Sequence, residues 1–286
     1  MIIDNHVHVG WYRDGYHSPK EIWEAETAAG VDEICVSSTS TCAELYDIVI
    51  EEMIELKRLG GSKVHPILWI TPQMLKSEEI DKMFLSDIEW QGIKIHPEAH
   101  NEWSYNKALT SRAINIAVKR KIPFMIHTGE DVVANAITFE NYYAEYPQLQ
   151  FILAHGKPFQ QALSMLNKYN NITIDSAFMK AKDINKFCKA GFPDKIIFGT
   201  DAPINKLFYK HLSTQEYIKK NIENGSWKVG EKIPSENNLT EILGVSRASI
   251  RVAIQQFIAL DVLNSIHGKG TFVKTNNIMG VNHNLA

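Results

Sequence analysis

The sequence predicts an α/β chain in two parts: a (β/α)8 barrel over residues 1–205, then a small α+β module over 206–275, with a flexible tail at 276–286. Three observations predict it. Eight short runs rich in β-branched residues recur through the first part. Each is continuously apolar rather than alternating, as parallel strands covered on both faces require. Segments of helical spacing separate these runs, and after Asp201 the rhythm changes to three helices and a hairpin.

The strand runs are residues 2–9, 33–37, 64–70, 92–96, 123–127, 150–155, 172–175 and 195–200. Helical stretches lie between them, the clearest being 19–29, 43–59, 110–120 and 159–169. Eight strands alternating with helices make a TIM barrel, here near the lower end of its usual size, so compact loops and little room for a lid are expected. In the second part, residues 213–226 read as a helix stopped by Asn224-Gly225. Pro234-Ser235-Glu236 starts a short helix with Ser235 as N-cap, ending near Gly244. Ser246 caps a further helix to about Leu260, whose Ile250, Ala253, Ile254, Phe257 and Ile258 keep to one face. Residues 262–266 and 271–274 flank His267-Gly268-Lys269-Gly270, a hairpin signature. Helix, helix, turn, helix, hairpin is the order of a winged helix-turn-helix.

Composition sets the class. The chain is 44% hydrophobic and 22% charged, in the range of a soluble globular protein. No run approaches the roughly 18 apolar residues of a membrane span, and there is no basic leader with a cleavage site. Cys35, Cys42 and Cys188 are odd in number and widely spaced, which excludes a disulfide framework and a cysteine zinc site. A cytoplasmic protein is expected. The net charge of −3 hides an asymmetry: ten Lys and Arg stand against six Asp and Glu from Lys206 onward, and 20 against 27 before it. A basic end on an acidic body suits a polyanionic partner.

Chemistry-bearing residues gather at strand ends. His6-Val7-His8 closes the first strand, and side chains at i and i+2 point the same way. Lys94 and His96 end the fourth strand, His127 the fifth, His155 the sixth and Asp175 the seventh, while Asp201 follows the eighth. Barrel enzymes build their sites on this C-terminal face, and imidazole with carboxylate suits zinc and comparable divalent ions. Such an ion acidifies water toward about pH 7 and polarises a carbonyl. Asp201 would take the proton, and His155 would stabilise the oxyanion or act as general acid. His96 reads as a neighbour of the site. Trp11, Tyr12, Arg13 and His17, in the loop after the first strand, are candidates to line a substrate pocket, and Asp175 either positions substrate or caps.

The segments Ile3-Asp4-Asn5-His6-Val7-His8, Gly92-Ile93-Lys94-Ile95-His96-Pro97, Ile126-His127-Thr128-Gly129, Leu153-Ala154-His155-Gly156 and Phe198-Gly199-Thr200-Asp201-Ala202-Pro203 together resemble the amidohydrolase superfamily, in particular its amidohydrolase-2-like members. The resemblance implies a metal held by His6, His8 and Asp201, with His127 and His155 either holding a second ion or dividing into one ligand and one acid/base. Lys94 stands where relatives place a bridging carboxylate or carboxylated lysine; an uncarboxylated lysine binding an anionic substrate is the alternative.

From Ile222 to Val273 the chain resembles the GntR family's winged-helix domain, through Gly230-Glu231-Lys232-Ile233-Pro234-Ser235-Glu236, Gly244-Val245-Ser246-Arg247, Ile250-Arg251 and His267-Gly268-Lys269-Gly270-Thr271-Phe272-Val273. Ser246, Arg247, Ser249 and Arg251 lie at the N-terminal end of the recognition helix, which meets base edges in the major groove. His267, Gly268 and Lys269 form the wing. Asn237 and Ala248 replace an Arg and a Thr common in that family. The family's module is normally N-terminal with an effector domain after it; here it is C-terminal and joined abruptly, as in a gene fusion. The expectation is a homodimeric transcription regulator that binds a double-stranded DNA operator. Its barrel is expected to hydrolyse C–N or C–O bonds of a small-molecule substrate or effector with one or two divalent ions, zinc foremost. A metal-dependent decarboxylase and a catalytically silent sensing regulator are the alternatives.

Overall fold

Apolar runs that face helices on one side and the barrel interior on the other become eight of the nine strands among the described residues of the first part. The nine are β1 (Ile3–Tyr12), β2 (Gly15–His17), β3 (Glu33–Ser38), β4 (Val64–Trp69), β5 (Gly92–Ile95), β6 (Phe124–His127), β7 (Phe151–Ala154), β8 (Ile172–Asp175) and β9 (Ile196–Ile197). The computed structural model describes residues 1–12, 15–204, 214–223, 225–243, 245–266 and 268–276. The chain separates into two compact units, Met1–Phe208 and Tyr209–Ala286.

In the first unit the strand order is β2-β1-β3-β4-β5-β6-β7-β8-β9. Every pairing from β1–β3 to β8–β9 is parallel. Backbone bonds close the seam: Asn5 N donates to Phe198 O at 2.9 Å, Asp201 N to His6 O at 2.7 Å and His8 N to Ala202 O at 2.6 Å. The result is an eight-stranded barrel with β2 folded back antiparallel on β1. Around it run α1 (Pro19–Ala28), α2 (Tyr46–Gly60), α3 (Pro72–Lys76), α4 (Glu79–Leu85), α5 (Glu102–Tyr105), α6 (Lys107–Arg120), α7 (Glu140–Glu145), α8 (Phe159–Lys168) and α9 (Ala181–Lys189). α1 starts on a capping box between Ser18 and Glu21. The core joins strand residues such as Ile34, Leu68, Ile93, Phe124 and Phe151 to helix residues such as Met53, Leu56, Ile114 and Met165.

Two elements differ from the sequence expectation. The segment carrying Trp11 and Tyr12 is not a loop: β1 runs on past the barrel rim and pairs Trp11 with Tyr16 and Tyr12 with Gly15. The eighth barrel strand is shorter than expected, because other groups take its backbone donors. Gly199 N donates to Ser176 Oγ at 3.1 Å and Thr200 N to Asp4 Oδ1 at 3.1 Å. A Cβ at Gly199 would stand 2.9 Å from His6 Cβ, so only glycine lets the chain pass β1 this closely.

The second unit contains α10 (Thr214–Glu223), α11 (Glu236–Leu243), α12 (Arg247–Ala259), β10 (Leu263–Ile266) and β11 (Gly270–Val273). Ser235 Oγ accepts from Asn238 N at 3.2 Å and Ser246 Oγ from Ser249 N at 3.2 Å, the two expected N-caps. Ile218 and Ile222 of α10, Leu239 of α11, and Ile250, Ala253, Ile254 and Phe257 of α12 form one core with Val262, Leu263 and Val273. In the hairpin, Leu263 pairs with Val273 and Ile266 with Gly270. Gly270 has φ +117°, and a Cβ there would run into the Lys232 side chain. The expectations for Arg13, Asn224, Gly244, His267, the domain join at 205–206 and nearly all of the tail fall outside the described residues. No described helix is long and apolar enough to cross a membrane.

Candidate metal centre and nucleic-acid interface

β1 delivers His6 and His8 to the C-terminal mouth of the barrel, where β5 brings Lys94, β6 His127, β7 His155 and β8 Asp175. His155 follows β7 with φ 69°, and Asp201 follows β9 with φ 60°. His6, His8, Lys94, His155, Asp175 and Asp201 are all buried. His127 is half-buried. These residues line or underlie a cavity of about 900 Å³, whose walls include Trp11, Tyr12, Trp69, Glu98, Lys157 and Phe178. A smaller cavity of about 250 Å³ lies at the opposite barrel end among Ile3, Ile67, Ile93 and Met125, far from this cluster.

Three histidines share one wiring. His6 Nδ1 lies 2.8 Å from Asp175 Oδ2, His8 Nδ1 3.3 Å from the carbonyl oxygen of Ser37, and His155 Nδ1 3.1 Å from Ala177 O. Each Nδ1–H is thereby used outward and each Nε2 lone pair is left for the centre, the arrangement that fixes an imidazole for metal ligation. Donor atoms of His6, His8 and Asp201 lie within 4.8 Å of one another, as do those of His6, His155 and Asp175. The first trio is the candidate cradle for an ion. In the second, Asp175 is already committed, accepting from His6 and from the backbone N–H groups of His155 (2.9 Å) and Ala177 (3.0 Å).

A divalent ion fits this donor set. Asp201 Oδ1 is buried and has no hydrogen-bond partner, although it stands 2.9 Å from His8 Nε2 and 3.4 Å from His6 Nε2. Three acceptors converging without a proton between them is a costly arrangement that a cation relieves. Lys94 Nζ fills that role here, donating to His6 Nε2 at 2.6 Å and His8 Nε2 at 3.0 Å. Burial brings the Lys94 amine down to about 8, against the pull of Asp201 and Asp175. Its ammonium and a divalent ion therefore compete for the same two lone pairs. A second pair of nitrogens shows the same shortage of protons. His127 Nε2 lies 3.2 Å from Glu98 Oε2, so its Nδ1, 3.1 Å from His155 Nε2, faces a bare nitrogen.

Electrostatics follow from burial. It pushes His8 down to about 3, helped by Lys94, and His155 down to about 3, helped by His127; both stay neutral. Burial alone would raise Asp201, but positive charge around it, that of Lys94 included, holds its carboxyl well below the ordinary range. His96 is stacked between Trp69, at 5.2 Å, and His127, at 3.6 Å between centroids, and burial holds it neutral too. Trp11 and Tyr12 line the cavity from the β1–β2 hairpin. Sequence reasoning missed Glu98 and the orienting contact of Asp175. The signal for Asp175 was its place at a strand end like the histidines; Glu98 sits two residues past His96 with no motif to mark it.

In the winged helix, Ser246, Arg247, Ser249 and Arg251 are exposed at the start of α12, and Gly268 and Lys269 are exposed at the wing tip. One contact is unforeseen. Glu236, at the start of α11, accepts from Arg247 Nε at 2.7 Å and from Arg251 Nε and Nη2 at 3.1 and 2.9 Å. Arg251 and Arg247 pull its carboxyl down to about 2.

The fold and donor set define a barrel protein of metal-dependent enzyme type carrying a DNA-binding type of module. The amidohydrolase family model matches residues 70–219, just over half of the chain, and the model for bacterial regulatory proteins of the gntR family matches residues 211–273. The chain belongs to the amidohydrolase family and carries a gntR-type domain at its C-terminal end. Both models claim residues 211–219. Among curated relatives, the mannosyl-D-glycerate transport/metabolism system repressor MngR of Escherichia coli (strain K12) is 36% identical over 70 residues, 24% of this chain and 28% of that protein. The histidine utilization repressor of Pseudomonas putida is 39% identical over 63 residues, 22% and 25% of the two chains. The chain thus spans about a quarter of the length of these relatives. A probable 2-pyrone-4,6-dicarboxylic acid hydrolase from Acinetobacter baumannii, solved with citric acid bound, superposes with a TM-score of 0.52 over 90% of this chain and 92% of that one. At 12% identity this is a likeness of fold.

Proposed function

We propose that this chain is a DNA-binding transcription regulator whose barrel is a metal-dependent hydrolase, cleaving a C–N or C–O bond of a small molecule that fits the cavity of about 900 Å³. The observation that carries the enzymatic half is the orphaned Asp201 Oδ1 facing two imidazole lone pairs. His6, His8 and Asp201 would hold one divalent ion, and His127 Nδ1 with His155 Nε2 would hold a second; imidazole and carboxylate suit zinc and manganese alike. The chemistry such an ion supplies is polarisation of a carbonyl and acidification of water.

The chain's own residues supply the rest. Asp201, held ionised, is the proton acceptor, and its Oδ2 lies 4.0 Å from His155 Nε2. Because His155 spends its one proton on Ala177 O, its Nε2 accepts rather than donates, which favours a ligand role over a general acid. Asp175 and Ser37 orient His6 and His8. Trp11, Tyr12 and Phe178 wall the site toward solvent, where they would exclude water around substrate. On the DNA side, Ser246, Arg247, Ser249 and Arg251 would contact the major groove, and Gly268 and Lys269 the backbone beside it. A homodimer on a palindromic operator, working in the cytoplasm, follows from that mode of reading DNA.

The test is the metal content of the purified chain beside a His6→Ala/His8→Ala double variant, with duplex binding measured at several salt concentrations. One or two equivalents of ion, lost in the variant, together with salt-sensitive duplex affinity, are expected. No ion after reconstitution would sink the enzyme and leave a sensing barrel. Bound ion with release of carbon dioxide from a carboxylated substrate would make the enzyme a decarboxylase.

A further inference from the structure

The solvent face of α12 carries two rows of side chains. At 100° per residue, the buried positions Ile250, Ala253, Ile254 and Phe257 define one side of the helix. Arg247 and Arg251 stand to the flank, both tied to Glu236. Opposite the buried side lies a second row, Ala248, Val252 and Gln255, all exposed. Val252 is 57% exposed.

Most of this valine's surface is left in solvent rather than packed into the module's core. Its branched Cβ also makes it a poorer helix former than alanine or the charged residues usual on a solvent face. Its surroundings point to an occupant. The row begins beside two guanidinium groups that share one carboxylate, a net positive charge, on the helix that a winged helix turns toward the major groove, so the matching surface is polyanionic and grooved. Within that groove the one apolar feature is the 5-methyl group of thymine. Gln255 follows on the same row, and an amide suits N6 and N7 of the adenine paired with that thymine.

We infer that the recognition helix selects an A·T pair in the major groove, with Val252, supported by Ala248, packing on the thymine 5-methyl group. This rests on the DNA-binding reading above. Val252 is a specificity-determining residue in this view, and substituting it changes which sequence is bound more than how tightly DNA is held.

The experiment uses the full chain and a duplex recovered from a randomised library by affinity selection, then resynthesised with each thymine singly replaced by uracil, which lacks only the methyl group. Uracil at one position per half-site should weaken binding about fourfold, the equivalent of one buried methyl at about 0.8 kcal/mol. In Val252→Ala the uracil penalty at that position should vanish while other positions are unaffected. Because Val252 is exposed, that variant keeps its fold, which a thermal melt verifies. A selected duplex indifferent to every uracil, or an undiminished penalty in Val252→Ala, overturns the inference and leaves DNA binding standing. Recovery of no salt-sensitive duplex overturns both. A uracil penalty lost only in Arg247→Ala would assign the methyl contact to the arginine stem and overturn the role of Val252.

Discussion

Replacing Asp175 by asparagine tests the wiring of the cradle with the smallest change of shape. Asp175 Oδ1 accepts two backbone N–H groups, at 2.9 Å from His155 N and 3.0 Å from Ala177 N, while Oδ2 faces His6 Nδ1 at 2.8 Å. An asparagine keeps its carbonyl oxygen on the two backbone donors, so its NH2 group turns toward His6. His6 then has to accept at Nδ1, and its proton moves to Nε2, the atom needed in the cradle. The fold keeps all three bonds, but each loses its anionic partner, so the barrel's stability should fall by about 1–3 kcal/mol. Metal affinity should fall about 10- to 100-fold, or about 1.4–2.7 kcal/mol, as for loss of an orienting partner. Competition titration with a chromophoric chelator, using zinc and manganese, measures it. Wild-type affinity in Asp175→Asn would refute the claim that the tautomer of His6 is set from β8.

Three further outcomes are expected. Glu98→Gln removes the charge that holds His127 Nε2, so the affinity for a second ion should fall about tenfold while the first is kept, read from the two steps of a metal titration. Glu236→Gln leaves Arg247 and Arg251 without their shared carboxylate; the slope of log affinity against log salt for random DNA should steepen by about 0.9, and discrimination between sequences should decline. Phe257→Ala empties the core of the second unit and should destabilise it by about 3–5 kcal/mol in denaturant unfolding, leaving barrel metal content unchanged.

The barrel was legible because parallel strands sheathed on both sides leave continuous apolar runs, and because helical spacing interrupts each of them at a strand's length. The histidines of the cradle were legible from their shared place at strand ends. What escaped was everything decided by geometry across the chain. Trp11 and Tyr12 read as loop because their pairing partner β2 is three residues of mixed polarity. The strand before Asp201 read too long because apolar content cannot show that Ser176 and Asp4 take its N–H groups. Glu98 and the orienting contact of Asp175 lie outside any periodic signal, and the pairing of Glu236 with both arginines joins residues on separate helices.

The seam between β1 and the chain around Asp201 has a consequence for folding. Asp4 Oδ1 receives both His6 N, at 3.0 Å, and Thr200 N, at 3.1 Å, while Asp201 N donates to His6 O at 2.7 Å. The last stitch of the barrel is therefore made by the neighbours and backbones of the very residues that carry the cradle. A chain that has not closed its cylinder has not brought Asp201 to His6 and His8, and a chain that has closed it already holds them face to face. Ring closure and the meeting of His6 with Asp201 are expected to occur together, so amide exchange at residues 199–202 should report on both at once.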